Sequence, residues 1–234
     1  MTNFEDIIDT IKEKPYYLDS DSGIVIYCAD CRDILSRIPD GSIDLVLTDP
    51  PYGINFTAEN YEKHNYKRGT AKVRVTEIMQ GDDGNLDVSW LFDYPKFIVW
   101  GFPHIKSDKA TGWFIWIKRE DNAPNPMGNP LEMALSNCWS GFHWKYCLWV
   151  GYMIASGEQR FDHPTQKPNQ IIEYLLNKYS ESDNLILDPF LGSGTTAVCA
   201  KKLGRKCIGI EIEKKYCEIA IKRLAQSVMR LDNV

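Results

Sequence analysis

The sequence predicts an α/β fold in which a largely parallel sheet is covered by helices on both faces. The main observation is the alternation of strands, at 184–187 and 206–210, with helices, at 195–203 and 214–229, along the last third of the chain. Two further apolar, β-branched segments, at 23–28 and 43–48, have the length of buried strands. Strands separated by helices pair in parallel, and a parallel sheet needs cover on both sides. A chain of 234 residues with 44% hydrophobic and 25% charged residues suits one globular domain.

The first half of the chain contains two predicted helices, two strands and a long loop. Residues 4–11 form an amphipathic segment that suits a short helix, and a second short helix at 33–37 is ended by turn residues at 39–41. The strand at 43–48 runs directly into Asp49-Pro50-Pro51-Tyr52. Residues 53–88 are polar, charged and without a regular period. A loop of this length in a compact domain usually has a function or is disordered.

The middle of the chain has a less regular pattern. Strands are predicted at 97–100, 113–117 and 146–150, and a helix at 131–135. A loop rich in proline and asparagine occupies 122–129, and another loop occupies 163–167. Pro168 suits the first position of a helix that continues to about residue 178.

Cysteine content and hydropathy argue against several classes of protein. The seven cysteines are odd in number and scattered, which argues against a disulfide framework. Cys28 and Cys31 have no second pair at zinc-finger spacing, so we expect buried thiols and no metal site. No apolar run is long enough to span a bilayer, and the N-terminus lacks the features of a signal peptide. We therefore expect a protein that stays in the cytoplasm, either of a bacterium or of a phage's host.

A glycine-rich loop follows the strand predicted at 184–187. It runs from Asp188 to Thr196 as D-P-F-L-G-S-G-T-T and precedes a helix. Glycines let the backbone approach a ligand closely, whereas the Walker ending and the dinucleotide spacing are both absent. The next strand ends 23 residues after Asp188, at Glu211, where an acid can accept hydrogen bonds from ribose hydroxyls. Loop and acid together predict a cofactor that carries a nucleoside.

Asp49-Pro50-Pro51-Tyr52 is the second chemically informative motif. Its simplest interpretation is a turn that Asp49 caps and the prolines stiffen. The same residues also permit specific chemistry, because Asp49 and the Pro50 carbonyl can each accept one proton of an exocyclic amine. Tyr52 offers an aromatic face on which a base can stack.

Together these motifs resemble those of the amino-methylating DNA methyltransferases, and the resemblance covers nearly the whole chain. Residues 49–52 resemble the family's catalytic motif, and 188–194 resemble its methionine-binding motif. The string H-P-T-Q-K-P at 163–168 resembles a further cofactor-site motif, and 27–31 resemble the stretch whose acid meets the cofactor's adenine. The catalytic motif precedes the glycine loop, which is the permuted order of the family's β class.

The resemblance implies a circularly permuted, Rossmann-like methyltransferase fold with a seven-stranded, mostly parallel sheet and one antiparallel strand. The chain would begin with the third strand and receive the first and second from its C-terminal third. Catalytic and cofactor loops would then meet at the carboxyl edge of the sheet. The implied cofactor is S-adenosylmethionine, and its implied ligands are Asp30, Thr165, Lys167, Asp188, Phe190, Gly192, Ser193, Gly194, Thr195 and Glu211.

The implied activity is methyl transfer to the exocyclic amine of a flipped adenine in DNA, with Asp49, Pro50, Pro51 and Tyr52 as the catalytic motif. Methylation of cytosine N4 or of RNA adenine stays open, because each of these bases also offers an amine. Asp at the first position resembles the adenine enzymes, whereas cytosine N4 enzymes of this class more often carry Ser and protein glutamine methyltransferases usually carry Asn. A non-catalytic DNA-binding module on the same fold is the alternative from another class, against which the intact motifs argue.

Two segments are candidates for DNA contacts although the net charge is −5. The loop at 53–88 contains a basic cluster without acids, and screening limits the reach of remote acids. A solvated loop is the competing interpretation. The second segment, about 118–162, is short for a target-recognition insert and includes three tryptophans, 139, 144 and 149, that we expect to form its small core. A short recognition site, a homodimer, or a partner such as a restriction endonuclease would each explain that length. The predicted contacts are Lys63, Lys67, Arg68, Lys72, Arg74, Lys118 and Arg119.

Overall fold

The computed structural model describes residues 3–52, 86–120, 129–150, 153–163 and 165–229. The strands are β1 (Tyr17–Asp19), β2 (Ile24–Cys28), β3 (Leu45–Thr48), β4 (Phe97–Phe102), β5 (Gly112–Ile117), β6 (Leu131–Ser136), β7 (Gly141–Tyr146), β8 (Trp149–Val150), β9 (Met153–Ile154), β10 (Leu185–Asp188) and β11 (Lys206–Glu211). The helices are α1 (Phe4–Ile11), α2 (Cys31–Leu35), α3 (Asn169–Tyr179), α4 (Thr195–Lys202) and α5 (Lys214–Met229), with a 3-10 helix at Ser89–Asp93.

The described strands form one large sheet in the order β1-β2-β11-β10-β3-β4-β6-β5-β7, and β8 pairs separately with β9. The strands from β2 to β4 in this order are parallel, and β6 runs antiparallel between β4 and β5. The seven strands from β2 to β5 therefore confirm the mostly parallel sheet with one antiparallel member. Two edge strands that the sequence did not predict as part of the sheet, β1 and β7, widen it to nine.

The permuted strand order is confirmed by the position of the C-terminal strands. β10 and β11, which come last in the chain, lie between β2 and β3, which come first. β10 pairs in parallel with β3, with Ile186 opposite Leu45. β11 pairs in parallel with β2, with Gly209 opposite Ile26. The chain therefore begins near one edge and inserts its C-terminal strands into the middle of the sheet.

Both faces of the parallel strands β2, β11, β10, β3 and β4 are buried, as a parallel sheet requires. Alternate side chains of one strand enter different cores: Leu45 and Leu47 of β3 pack with α3, α4 and α5, whereas Val46 packs with α1 and α2. This alternation follows from the period of two residues in a strand. The continuous apolar runs that marked these segments as strands are therefore explained by burial on both sides.

Two predicted elements of the middle region are wrong. Residues 131–135, predicted as a helix, form the strand β6, because pairing with β4 on one side and β5 on the other outweighs the helix propensity of Leu, Glu, Met and Ala. The strand predicted at 146–150 is divided, because β7 ends at Tyr146 and Trp149–Val150 pairs with β9 instead. Residues 131–146 of the expected insert thus supply two strands of the main sheet.

Smaller differences concern element ends and side-chain burial. α2 begins at Cys31, two residues before the predicted start, because the Asp30 carboxylate accepts the Arg32 backbone N–H over 2.9 Å and caps the helix. The expectation that Trp144 belongs to a small core is wrong, since 64% of its surface is exposed. Trp149 is buried in the main core, and Trp139 packs against it.

All seven cysteines have free thiols. Among the described residues, no helix is long and apolar enough to cross a membrane. The basic cluster at 63–74 and nearly all of the loops predicted at 53–88 and 122–129 lie outside the described residues.

Candidate active site

The site lies at the carboxyl edge of the sheet, where β3 and β10 are neighbours. β3 ends at Thr48 and leads into Asp49, and β10 ends at Asp188 and leads into the glycine loop. The Thr48 hydroxyl donates to Asp188 Oδ1 over 2.7 Å. Parallel strands deliver the loops that follow them to the same edge. This hydrogen bond therefore joins two motifs that are 140 residues apart in the sequence.

Asp49 is held by two side chains that bind different oxygens of its carboxylate. Lys167 Nζ donates to Oδ2, and the Tyr52 hydroxyl donates to Oδ1. Burial raises the pKa of Asp49, and the neighbouring Lys167 opposes that rise. Pro50 is buried and Pro51 half-buried, and the fixed φ of both prolines stiffens the backbone behind the carboxylate.

The Tyr52 ring lies in a close-fitting position beside β4. Its plane is within 12° of the His104 ring plane, with the ring centroids 6.0 Å apart. Gly101, at the end of β4, has φ +117°, and a Cβ there would lie 2.7 Å from Tyr52 Cε1. Glycine at 101 is therefore required both by the backbone conformation and by the approach of the Tyr52 ring.

Lys167 was predicted to contact the cofactor, and the structure places its ammonium beside Asp49. The Nζ atom also lies 3.2 Å from Glu132 Oε2 and 5.2 Å from the centroid of the Trp100 ring. Glu132 lies on β6 and forms a second ion pair with Lys118. Glu132 was not predicted as a site residue, although a lone acid in an otherwise apolar segment was the signal that could have identified it.

The glycine loop has a backbone conformation and close packing that favour glycine at two positions. Gly192 has φ +53° and Gly194 has φ +81°, which side chains rarely allow. A Cβ at Gly192 would lie 2.6 Å from His163 Nε2, and one at Gly194 would lie 2.5 Å from Ala220 Cβ. Burial lowers the pKa of His163 to about 3, so its imidazole is neutral beside the loop. His163 and Ala220 thus pack directly against the two glycines, and a side chain at either position would not fit.

Glu211 faces the glycine loop from the end of β11. Its Oε2 accepts the Gly192 N–H and its Oε1 accepts the Glu213 N–H, each over 2.8 Å. Each carboxylate oxygen keeps a lone pair for a further donor such as a ribose hydroxyl. Burial raises the pKa of Glu211 to about 7 and that of Asp188 to about 6. The residues present therefore fit a nucleoside-bearing cofactor.

Asp30 lies beside Glu211 because their strands are paired. The Ala29 N–H, just beyond β2, donates to the Glu211 carbonyl over 3.1 Å. The Asp30 carboxylate accepts from Arg32 Nε over 3.0 Å, and this hydrogen bond lowers the Asp30 pKa. The structure therefore brings the predicted adenine ligand and the predicted ribose ligand to adjacent strand ends.

The remaining predicted cofactor residues surround the same loop. The Phe190 ring lies 6.3 Å from the Trp90 ring. Thr165 lies in the segment before α3, and Thr195 Oγ1 donates to the Lys167 carbonyl of that segment over 3.4 Å. The H-P-T-Q-K-P segment and the glycine loop are thus in direct contact.

Arg223 of α5 is a second site residue that was not predicted from the sequence. Its Nη1 donates to the Ser193 carbonyl (2.7 Å), the Ser193 hydroxyl (3.0 Å) and the Thr195 hydroxyl (2.9 Å), and its Nη2 donates to Asn169 Oδ1 (2.9 Å). The guanidinium lies 4.6 Å from the Phe161 ring, and burial lowers its pKa to about 10. An arginine in a C-terminal amphipathic helix usually faces solvent, so no local signal marked this one.

The two predicted DNA contacts within the described residues lie just beyond β5. Lys118 Nζ pairs with Glu132 and lies 4.7 Å from the Trp116 ring centroid, with 16% of its side chain exposed. Arg119 Nη1 is buried and has no hydrogen-bond partner among the described residues. Lys118 is therefore part of the charged network around Asp49.

Known proteins share both the sequence and the fold of this chain. Residues 96–222 match the model of the N6/N4 DNA methylase family. The Type II methyltransferase M2.LlaDCHI from Lactococcus lactis subsp. cremoris is 29% identical over 254 aligned positions, which cover 90% of this chain and 92% of that protein.

Two solved structures have a similar fold at low sequence identity. The S-adenosylmethionine complex of TTHA0409 from Thermus thermophilus aligns with a TM-score of 0.55 at 22% identity, covering 87% of this chain and 93% of that one. The PvuII DNA methyltransferase, described as cytosine-N4-specific, aligns with a TM-score of 0.56 at 18% identity, covering 91% and 89%.

Proposed function

We propose that this chain, which belongs to the N6/N4 DNA methylase family, transfers a methyl group from S-adenosylmethionine to the exocyclic amine of adenine in DNA. The observation that carries the proposal is the contact between the two motifs at one sheet edge. The Thr48–Asp188 hydrogen bond of 2.7 Å sets Asp49 next to the glycine loop. The amine and the methyl donor would therefore be held side by side, which reduces the entropic part of the barrier.

The target amine lies inside a duplex, so the nucleotide must be flipped out of the helix to reach Asp49. Tyr52 would stack on the flipped base and restore part of the stacking energy, about 1–3 kcal/mol per base. Asp49 and the Pro50 carbonyl would each accept a hydrogen bond from one of the two amine N–H groups. This arrangement turns the nitrogen lone pair towards the methyl donor. Lys167 and Tyr52 each donate to one oxygen of the Asp49 carboxylate. Each oxygen keeps a second lone pair, so the two side chains share the carboxylate with the amine N–H and compete with it.

S-adenosylmethionine, when bound, supplies an electrophilic methyl group on a positively charged sulfur. Asp49 would stabilise the positive charge that grows on the amine nitrogen during transfer. Glu211 would hold the ribose hydroxyls, Asp30 and Phe190 would border the adenine, and the loop from Gly192 to Thr195 would pack against the methionine part. Thr165 and Lys167 would close the site from the segment before α3.

Adenine is preferred over cytosine because Asp49 stands at the first position of the motif, as in the adenine enzymes that it resembles. The fold does not distinguish the two bases, since the PvuII enzyme that shares it is described as cytosine-N4-specific.

The experiment is to incubate the protein with tritiated S-adenosylmethionine and duplex DNA, digest the product to nucleosides, and identify the labelled one. Label in N6-methyldeoxyadenosine supports the proposal. Label in N4-methyldeoxycytidine or no transfer would contradict it, and so would label that appears only in a parallel incubation with RNA.

DNA backbone contacts are proposed for the predicted basic cluster, Lys63, Lys67, Arg68, Lys72 and Arg74, and for the predicted contacts Lys118 and Arg119. Removing one phosphate contact should reduce the slope of log affinity against log salt by about 0.9. The triple variant of Lys67, Arg68 and Lys72 to Gln should therefore weaken binding to all duplexes alike. An unchanged slope with the fold intact would contradict this role.

A homodimer is proposed because β7, at the edge of the sheet, carries three exposed aromatic side chains on one face. Phe142, Trp144 and Tyr146 of β7 lie opposite Trp113, Ile115 and Ile117 of β5. Exposed apolar patches of this kind mark protein interfaces. Light scattering should detect a dimer that Trp144→Glu disrupts and that Met153→Glu, at a comparably exposed position on β9, leaves intact. A wild-type monomer would contradict the proposed homodimer. The proposed protein partner would then be a restriction endonuclease in the bacterial cytoplasm.

A further inference from the structure

Four charged side chains of alternating sign form a continuous charged network that starts at Asp49. Lys167 Nζ contacts Asp49 on one side and lies 3.2 Å from Glu132 Oε2 on the other. Glu132 Oε1 pairs in turn with Lys118. The four residues come from four separate segments of the chain, so only the fold brings them together.

The burial of this charged network indicates a functional reason for its presence. The exposed fractions of the side chains are 7% for Lys167, 16% for Lys118, 18% for Asp49 and 27% for Glu132. Removing charges from water costs several kcal/mol per ion, and buried ion pairs often contribute little net stability. Two carboxylates and two ammonium groups leave the charged network neutral, which lowers the cost of burial but does not remove it.

We propose that Glu132 is a positioning residue for methyl transfer: it shares Lys167 with Asp49 and so keeps the Asp49 carboxylate open to the target amine. The inference rests on the function proposed above. Without Glu132, the Lys167 ammonium would have Asp49 as its one carboxylate partner and would compete more strongly with the amine protons. With Glu132 in place, Lys167 can move towards Glu132 when the amine binds Asp49, and no charge is left unpaired.

The pKa shifts of Asp49 and Glu132 support the positioning role of Glu132. Burial raises the pKa of Asp49, Lys167 lowers it, and the negative charge of Glu132 raises it again. Burial alone would raise the pKa of Glu132 too, but its two lysines outweigh burial and the pKa lies below the usual value. Glu132 therefore stays charged. Besides Lys167 and Glu132, the titratable groups of the described residues that face Asp49 are Tyr52 and Asp188.

The test compares Glu132→Gln with the wild type under single-turnover conditions, at saturating DNA and saturating tritiated S-adenosylmethionine. Gln has the shape of Glu without its charge, so we expect the rate to fall about tenfold or more, with cofactor affinity changed by less than about twofold. The acid limb of the rate-against-pH curve should move to lower pH, because removing the Glu132 charge lowers the pKa of Asp49. A merely structural role would not move this limb.

The matched control is Glu173→Gln, which removes a similarly half-buried carboxylate of α3 that pairs with Lys202 over 2.8 Å and has no contact with Asp49 or Lys167. Its rate and pH curve should equal those of the wild type. The double variant Glu132→Gln/Lys118→Met keeps the charged network neutral and should fold even if Glu132→Gln does not. It should show the same slow rate and the same shift of the acid limb.

Coupling through Lys167 is tested with Lys167→Met. If Glu132 acts through Lys167, then adding Glu132→Gln to Lys167→Met should leave the Lys167→Met rate unchanged. A folded Glu132→Gln variant with the wild-type rate and pH curve, or a Glu132→Gln decrease that persists in the Lys167→Met background, would overturn the inference. A wild-type protein that transfers no label to any duplex would instead contradict the proposed function.

Discussion

The two halves of the site are held together by different kinds of contact. On the cofactor side, the backbone N–H groups of Gly192 and Glu213 bind Glu211, and Arg223 binds the carbonyl of Ser193. On the side of the base, Asp49 is held by the terminal atoms of two side chains, Lys167 and Tyr52. Backbone groups cannot move independently of the fold, whereas side-chain ends can change partners. The cofactor side is therefore preformed, and the base side is built to exchange its contacts.

The sharpest test of this difference is Asp49→Ala. The change should reduce methyl transfer by at least about 10²-fold, the scale for losing one preorganised electrostatic partner. Cofactor affinity should stay nearly unchanged, because the preformed side does not depend on Asp49. Rates are measured with tritiated cofactor and affinities by calorimetry. The control is Asp93→Ala, which removes an exposed carboxylate that pairs with Lys109. Near wild-type transfer by Asp49→Ala would refute the role of Asp49.

Glu211→Ala should have the opposite pattern. Charge-assisted hydrogen bonds to the ribose are worth roughly 1.5–3 kcal/mol, so cofactor affinity should fall about tenfold to a hundredfold. The rate at saturating cofactor should change far less than in Asp49→Ala. Calorimetry gives the affinity directly, and an unchanged value would move the ribose ligand elsewhere.

The pH dependence of cofactor binding sharpens the same comparison. Burial raises the pKa of Glu211 to about 7 in the cofactor-free protein. Only the ionised carboxylate is a full acceptor for the ribose hydroxyls, so affinity should increase as pH rises through the pKa. Between pH 6 and pH 8 the ionised fraction increases about tenfold. Glu211→Gln should lose this increase, and the comparison cancels any titration of the cofactor itself. Parallel curves for the two proteins would contradict the prediction.

Arg223→Met is expected to have the smallest effect on activity. It removes the donor to Ser193 and Thr195, and each buried acceptor left unsatisfied costs about 1–3 kcal/mol in the free energy of unfolding. Cofactor affinity should fall by roughly threefold to tenfold because the loop loses its support. The rate at saturating cofactor should stay near the wild-type value. Denaturant unfolding and calorimetry measure the two effects, with Arg37→Met, a surface pair with Glu13, as the control. A large decrease in rate would show that the cofactor side is not preformed.

The predictions from sequence were most accurate where burial on both faces fixed the pattern. β2, β3, β10 and β11 were located by their continuous apolar runs, and α4 and α5 by their alternation with the last two of these strands. β6 was missed because Leu131, Glu132 and Met133 favour a helix locally, and the neighbouring strands that override this preference lie far away in the sequence.

The sequence by itself determined the fold class, the permuted order and the motifs. Each of these depends on local residue patterns, such as a strand followed by Asp49-Pro50-Pro51-Tyr52 or by the glycine loop. Only the tertiary structure decided the partners of the charged groups: Glu132 for Lys167, and Ser193 and Thr195 for Arg223. The physical reason is that a buried charge is stabilised by whichever groups the packed strands and helices bring within a few ångströms, and no local pattern in the chain encodes that proximity.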